Sequence, residues 1–228
     1  MPDWDRFRTE RFVAACRWAL VLALTGLEVA TLSVWLALVD GAAPLSRMAA
    51  VGVVVLVVGL QVEHFLTDLA ANGPAVGFPL GRTLAVSVTE ALLWIGWFAA
   101  AKALGELRGV FVAGVAFAVA LAVQHTVEAN ALRGRPLAHR LLDSATVGFS
   151  LVTAAGASVW LALSTPVAGT EPLVSFVASG LDPTTAGVVV LAAALLIERL
   201  LVVRFARRER SERTAPARRA RGSWSRAR

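Results

Sequence analysis

Three polar side chains, Gln124, His125 and Glu128, lie within one strongly apolar stretch at residues 118–130. Residues three and four apart share one face of a helix, so these side chains point in roughly the same direction. Ionisable groups inside an apolar span are costly, and in membrane proteins they commonly mark ion, proton or substrate pathways. The stretch therefore indicates a polar site inside a membrane.

A transition-metal site is one chemistry that these residues could support. Imidazole and carboxylate suit zinc, iron or manganese, and a His–Glu pair at i, i+3 presents ligands in helical metal proteins. The candidate ligands are His64, His125 and Glu128, with Glu63 as a fourth. However, the chain has no His-Glu-x-x-His motif, and neighbours such as Glu63 and His64 face about 100° apart on a helix. Interhelical hydrogen bonding, to which Gln124 could contribute, is the simpler interpretation. No cofactor is identified.

The composition excludes an ordinary soluble domain. Hydrophobic residues make up 57% of the chain, charged residues only 17%, and the mean hydropathy is +0.68, as expected when the bilayer is the solvent. The net charge of +6 could suggest nucleic acid as a partner. However, nearly half of the 22 lysine and arginine residues lie at or beyond Arg204, so the excess charge belongs mainly to one tail. The single cysteine, Cys16, excludes an internal disulfide.

Six apolar runs are each close to the length needed to cross a bilayer. They lie at about 16–39, 47–67, 83–103, 109–131, 142–164 and 185–204. The predicted fold class is therefore an all-α, multi-pass integral membrane protein of six transmembrane helices. A charged arm occupies 1–11, the transmembrane domain 12–206, and an Arg-rich tail 207–228, for which low apolar content predicts disorder.

The distribution of arginine between loops predicts the orientation, because cytoplasmic loops carry the excess of basic residues. One side of the membrane carries Arg6, Arg8, Arg11, Arg17, Arg82, Arg133, Arg135, Arg140 and the tail arginines. The opposite side has only Arg47, Lys102 and Arg108. Both termini are therefore expected to be cytoplasmic, in a cell membrane. The expected partners are the lipid bilayer, anionic lipid headgroups at the tail, and a second copy of the chain.

The odd-numbered spans share a register that predicts three repeated helical hairpins. In each, a hydroxyl residue stands three positions before a central polar residue, and a tryptophan stands seven after it, which places all three on one face. The triplets are Thr25, Glu28 and Trp35; Ser87, Glu90 and Trp97; and Ser150, Thr153 and Trp160. The even-numbered spans match in Glu63, Glu128 and Glu198. The tryptophans are expected to form an aromatic belt in the outer leaflet.

Depth separates the carboxylates into two layers. From the rise of a helix, Glu63, Glu128 and Glu198 lie about 8–9 Å inside the cytoplasmic boundary, and Glu28 and Glu90 roughly 12–16 Å inside it. Packing around a pseudo-threefold axis would bring these residues and Thr153 to one inward-facing cavity. Five ionised carboxylates cannot share a low dielectric, so protons, cations or water must compensate them. The nearest basic residues in sequence are Arg199 beside Glu198, and Arg140 near Glu128.

Three functions fit this pattern. The first is a small channel or secondary transporter that uses the intramembrane carboxylates for a cation or proton. The second is an intramembrane metal-dependent enzyme. The third is a non-catalytic membrane scaffold or accessory subunit that docks through the arginine tail. The chain has no Gly-x-Ser-x-Gly motif and no phosphate-binding loop, which weighs against an enzyme.

Overall fold

The structure is a computed structural model that describes the backbone of residues 4–72, 80–132, 136, 139–177 and 180–224. These residues form seven helices and no strand. The helices are α1 (Trp4–Val39), α2 (Arg47–Asn72), α3 (Leu80–Leu104), α4 (Glu106–Leu132), α5 (Ser144–Ser164), α6 (Glu171–Val177) and α7 (Pro183–Trp224). Several arginines of the predicted cytoplasmic side have side chains outside the described part, namely Arg6, Arg8, Arg17, Arg82, Arg133 and Arg135.

Six of these helices are long and apolar enough to cross a membrane. The spans are Arg11–Val39, Arg47–Thr67, Thr83–Leu104, Glu106–Asn130, Ser144–Ser164 and Pro183–Val202. The prediction of an all-helical chain with six helices that are long and apolar enough to cross a membrane is therefore confirmed. The remaining helix, α6, has 7 residues and lies in the connection before α7.

The residues that begin α5 and α7 explain where these helices start. Asp143 and Asp182 each accept a hydrogen bond from a backbone amide of the first turn, from Ala145 and Thr185 respectively, both at 3.0 Å. Aspartate is favoured at this position because its carboxylate satisfies an amide that has no partner within the helix. Hydrogen bonds from Thr185, through its side chain and its backbone, hold the pKa of the Asp182 carboxyl below its ordinary value. Pro183, with its fixed φ, then suits the first helical position.

The last helix continues beyond the membrane span. The backbone of α7 runs to Trp224 and so includes residues 207–224 of the tail for which the sequence predicts disorder. Alanine, arginine and glutamate are strong helix formers. In addition, a segment that extends an existing helix does not need a new nucleus. Residues 225–228 of the tail lie outside the described part.

The six spanning helices form a closed ring. Each packs against its neighbours in the chain, and α7 packs against α1 as well as α5. Among the residues that the structure describes, helices on opposite sides of the ring do not pack against each other through their backbones. Large apolar side chains such as Val54, Leu92 and Phe111 point outward and are exposed, which suits contact with lipid. Any polar residue that faces inward is therefore brought towards the middle of the ring.

Small residues allow the helices of two hairpins to approach closely. A Cβ atom placed on Gly59 of α2 would lie within 2.2–2.8 Å of the Thr31 side chain on α1. A Cβ atom on Gly156 of α5 would lie 2.2 Å from the Cβ atom of Ala194 on α7. Such contacts between small residues are the ordinary basis of helix packing in membranes, where apolar burial gives little driving force between helices.

The three tryptophans of the repeated register lie in the protein core, so the prediction of an aromatic belt is wrong. Trp35, Trp97 and Trp160 are only 1–3% exposed. The Trp97 ring stacks on Phe117 with 5.4 Å between centroids, and Trp94 meets the same ring edge-on at 4.9 Å. The physical reason is periodicity: residues seven apart share a helix face, so the tryptophans follow the polar residues inward.

Substitution of Gly59 by alanine should destabilise the bundle. The new methyl group would overlap Thr31, which is short, β-branched and buried, so neither side chain can move aside. We expect a loss of about 1–3 kcal/mol in the free energy of unfolding, as for overpacked cores. Equilibrium unfolding in mixed micelles, followed by tryptophan fluorescence, measures this loss. Gly96→Ala is the matched control because a Cβ atom there meets nothing within 4 Å. Equal stability of the two variants would contradict the close packing of α1 and α2.

Candidate functional site

Each of the six spanning helices contributes to a group of polar side chains that we call the central polar cluster. Its members are linked to one another by ion pairs and hydrogen bonds, or lie within electrostatic range of other members. They are Glu28 of α1, Glu63 and His64 of α2, Glu90 of α3, His125 and Glu128 of α4, Thr153 of α5, and Glu198 and Arg199 of α7. The cluster contains all five glutamates of the polar set that the sequence predicts inside the membrane.

Arg199 joins α7 to the first hairpin. Its Nη2 atom lies 2.5 Å from Oε2 of Glu28, and its Nη1 atom lies 2.8 Å from Oε1 of Glu63. The planar guanidinium can donate to two carboxylates at once, which a lysine could not do with the same geometry. The same Oε1 atom of Glu63 also accepts from Thr67 at 2.8 Å. The sequence predicts that Arg199 compensates the charge of its neighbour Glu198. In the structure, Arg199 instead pairs with Glu28 and Glu63.

His64 lies between α2 and α3. Its Nε2 atom is 3.4 Å from Oε2 of Glu90, and its Nδ1 atom is 2.8 Å from the Leu60 carbonyl oxygen and 3.2 Å from Oγ of Ser87. The sequence identified His64 only as a weak metal ligand and did not assign a role to Ser87 beyond the repeated register. That register was the available signal, because it placed Ser87 on the same helix face as Glu90.

A second histidine pairs with a carboxylate on the other side of the ring. Nε2 of His125 lies 3.8 Å from Oε1 of Glu198, and its Nδ1 atom is 3.1 Å from Oγ of Ser150. The Thr153 hydroxyl donates to the other Glu198 oxygen in a short hydrogen bond. The Phe149 ring lies against His125, with 5.2 Å between ring centroids. Glu198 thus faces the one odd-numbered span that has threonine in place of glutamate.

Gln124 and Glu128 complete the predicted set on α4. Both are half-buried, and Glu128 lies within electrostatic range of Glu90 and His125. Both amide atoms of Gln124 are buried and have no hydrogen-bond partner among the described residues. Arg140 is exposed and its carbonyl oxygen accepts from Asn130 at 2.8 Å. The structure describes no ion pair between Arg140 and Glu128.

The predicted metal ligands are not gathered around one point. Within the residues that the structure describes, no group of three or more histidine, cysteine, aspartate or glutamate side chains is arranged to hold a metal ion. His64 and His125 instead contact different carboxylates, Glu90 and Glu198.

An apolar layer lies directly next to the central polar cluster. Each of its members stands three or four residues from a cluster member on the same helix, on the side of the tryptophans, and is no more than 1% exposed. The layer consists of Leu32, Leu60, Trp94, Leu121, Ala157 and Leu195. The tryptophans Trp35, Trp97 and Trp160 follow on α1, α3 and α5. The cluster is therefore closed towards one side of the membrane by two successive layers of packed apolar and aromatic side chains.

Comparisons of the chain with protein-family models, with curated proteins and with solved structures give no match. The chemistry of the central polar cluster therefore has to be interpreted from its own geometry.

The charges of the cluster do not balance when all its carboxyl groups are ionised. Five carboxylates face one arginine and two histidines, and the seven side chains that form its ion pairs are only 9–20% exposed. Uncompensated charge at such burial costs several kcal/mol per group, about the size of a typical protein's whole stability. Protons, cations or water must therefore compensate part of the negative charge of the cluster.

Removal of the Arg199 charge should be strongly destabilising. Arg199→Gln leaves Glu28 and Glu63 buried without their cation, and breaking a buried ion pair in this way costs about 3–5 kcal/mol. The measurement is again equilibrium unfolding in mixed micelles. The double variant with Glu28→Gln should recover part of the loss, because one of the two unpaired charges is then absent. Arg108→Gln is the control, since Arg108 is exposed. If Arg199→Gln were as stable as the control, the Arg199 bridge would have no structural role.

Proposed function

We propose that this chain is a small secondary transporter that moves a proton or another cation, with the central polar cluster as its ion site. One observation carries the proposal: all six spanning helices direct an ionisable or hydroxyl side chain to the same place in the ring. A structural role would need only local pairs near the membrane surface, where long side chains reach water. A shared site at the interface of several helices is instead typical of ion pathways and of transporters.

Transport by alternating access is favoured over an open channel. The apolar layer and the tryptophan layer separate the cluster from one side of the membrane by side chains that are almost completely buried. An ion in the cluster could therefore exchange with only one side of the membrane in this conformation. Movement of the helices that carry Trp35 and Trp97 would be needed to expose the other side.

The three-hairpin organisation is part of the proposal, and the contacts between hairpins support it. Between α2 and α3, the residue that follows Glu63 is His64, and His64 faces Glu90. Between α7 and α1, the residue that follows Glu198 is Arg199, and Arg199 faces Glu28. At the α4–α5 boundary this position is Ala129, and the register position that corresponds to Glu90 and Glu28 is Thr153. Two boundaries therefore have both a basic residue and the glutamate that it faces, and the third boundary has neither. This is expected for repeats that diverged while keeping their charge balance.

The proposed orientation places both termini in the cytoplasm and the tail arginines against anionic lipid headgroups. Cys16 is the only cysteine, so Cys16→Ser gives a background without thiols for mapping. In intact cells, a membrane-impermeant thiol reagent should label Ala43→Cys in the α1–α2 loop. Ser211→Cys in the tail should be labelled only after permeabilisation. The opposite labelling pattern would reverse the orientation, and the cysteine-free background controls for unspecific labelling.

Reconstitution in liposomes tests the transport proposal. A pH-sensitive dye inside the vesicles reports proton movement, and imposed sodium or potassium gradients test for exchange. We expect a flux above that of protein-free vesicles, and we expect Glu90→Gln to reduce it to that background. The substitution keeps the size of the side chain but removes a carboxyl group at the centre of the cluster.

Glu171→Gln is the matched control for this experiment. Glu171 is exposed on α6, outside the cluster, so its neutralisation should leave the flux unchanged. Absence of proton and cation flux from folded wild-type protein, under all gradients tested, would refute the transport proposal.

A further inference from the structure

The surroundings of the His64 ring fix which of its nitrogens carries a proton. Nδ1 lies 2.8 Å from the Leu60 carbonyl oxygen, which can only accept a hydrogen bond. It also lies 3.2 Å from Oγ of Ser87, whose own hydroxyl donates to the Thr83 carbonyl at 2.9 Å. The third neighbour is Oε2 of Glu63 at 3.6 Å. All three neighbours present lone pairs to Nδ1, so Nδ1 must be the N–H donor.

The proton on Nδ1 determines what the other ring nitrogen of His64, Nε2, presents to Glu90. A neutral imidazole has one N–H, so with the proton on Nδ1 the Nε2 atom presents a lone pair. That atom faces Oε2 of Glu90 at 3.4 Å. Two lone pairs cannot face each other favourably in a buried site, because both atoms carry partial or full negative charge. A second proton between the two atoms removes the conflict. It can reside on Nε2, giving an imidazolium–glutamate pair, or on Glu90, giving a glutamic acid that donates to neutral imidazole.

We propose that His64 and Glu90 form a binding site for one exchangeable proton, and that the proton is the ion that this protein couples to transport. The assignment of this proton to transport rests on the proposed function; the existence of the site rests only on the geometry around His64. In the bound state the proton bridges Nε2 and Oε2. In the released state it has left the pair, which then carries one less positive charge.

Release of the proton also changes the contact between two helices. His64 belongs to α2 and Glu90 to α3, and the bridging proton turns a repulsive contact between them into an attractive one. Loss of the proton therefore favours separation of the two side chains or entry of another cation between them. This gives a physical route from protonation to a change in the ring, which a proton-coupled transporter needs.

The other ionisable groups around this pair make it distinct within the cluster. Glu28 and Glu63 are bound to the fixed charge of Arg199. His125 and Glu198 lie 3.8 Å apart, and the Nδ1 partner of His125 is a serine hydroxyl that can either donate or accept. The other carboxyl groups of the cluster within electrostatic range of Glu90 are Glu28, Glu63, Glu128 and Glu198. Whichever of these carboxyl groups is ionised repels an additional negative charge at the position of Glu90.

Spectroscopy of the purified full-length protein tests the proposal. Long-range proton–nitrogen NMR correlations of protein labelled with ¹⁵N-histidine report which ring nitrogens carry protons. The chain has 3 histidines, so His64→Gln, His125→Gln and His139→Gln assign the three rings. His139 is exposed outside the spans and serves as the internal reference. Infrared spectra of wild type and Glu90→Gln report whether Glu90 contributes the carbonyl stretch of a protonated carboxyl group.

At about pH 8, above the ordinary histidine pKa of about 6.5, we expect Nδ1 of His64 to carry a proton. We also expect one further proton, seen either on Nε2 of His64 or as a protonated-carboxyl band that Glu90→Gln removes. In Glu90→Gln the amide can donate to Nε2, so His64 should become neutral while Nδ1 keeps its proton. A neutral His64 with its proton on Nε2, beside an ionised Glu90, would overturn the proposal. The wild-type spectra decide this even if a variant fails to fold.

The flux measurement separates this inference from the proposed function. If the shared proton is observed but no wild-type flux is found, the proton site stands and the transport role fails. If flux is found but the shared proton is absent, transport stands and the coupling ion must be held elsewhere in the cluster.

Discussion

The need to compensate five carboxyl groups within one apolar bundle is the constraint on which the rest of this structure depends. The protein compensates these carboxyl groups in two different ways. A fixed cation, Arg199, neutralises part of the charge of Glu28 and Glu63, and two imidazoles lie beside Glu90 and Glu198. A guanidinium keeps its proton under all physiological conditions, whereas an imidazole does not. One part of the cluster therefore has a permanent charge, and the other part can change its charge.

The division between the permanent charge of Arg199 and the changeable charge of the two histidines affects the stability and the motion of the bundle. Arg199 links α7 to both helices of the first hairpin and so closes the ring through a contact that cannot be titrated. The contacts of His64 and His125 cross between other helices and weaken or strengthen with the proton that they hold. A bundle arranged in this way can stay folded through Arg199 while other helix contacts respond to protonation. Close packing at Gly59 and Gly156 holds the helices within the first and third hairpins together.

The apolar layer lies on one side of the central polar cluster. Because Leu32, Leu60, Leu121 and Leu195 are almost fully buried, the polar centre is separated from one side of the membrane by tightly packed side chains. The tryptophans strengthen this closure with large, rigid rings whose faces and edges meet Phe98 and Phe117. A carrier that exchanges its ion with one side at a time needs such a closure, and a membrane scaffold does not.

The sequence by itself determined the six spanning helices and the polar face of each, because span length and helical periodicity are local properties of the chain. It also identified the carboxylates and Thr153 as members of one set, since the register that they share follows from residue spacing alone. It did not determine which groups meet. Arg199 contacts Glu28 across 171 positions of sequence, a pairing that exists only because α7 closes the ring against α1. The sequence predicts the wrong position for the tryptophans for the same reason: their residue type suggests the membrane interface, but the packing of the inward face places them in the core. The tautomer of His64 likewise required the tertiary structure, because it depends on Ser87 from the next helix as well as on its own backbone.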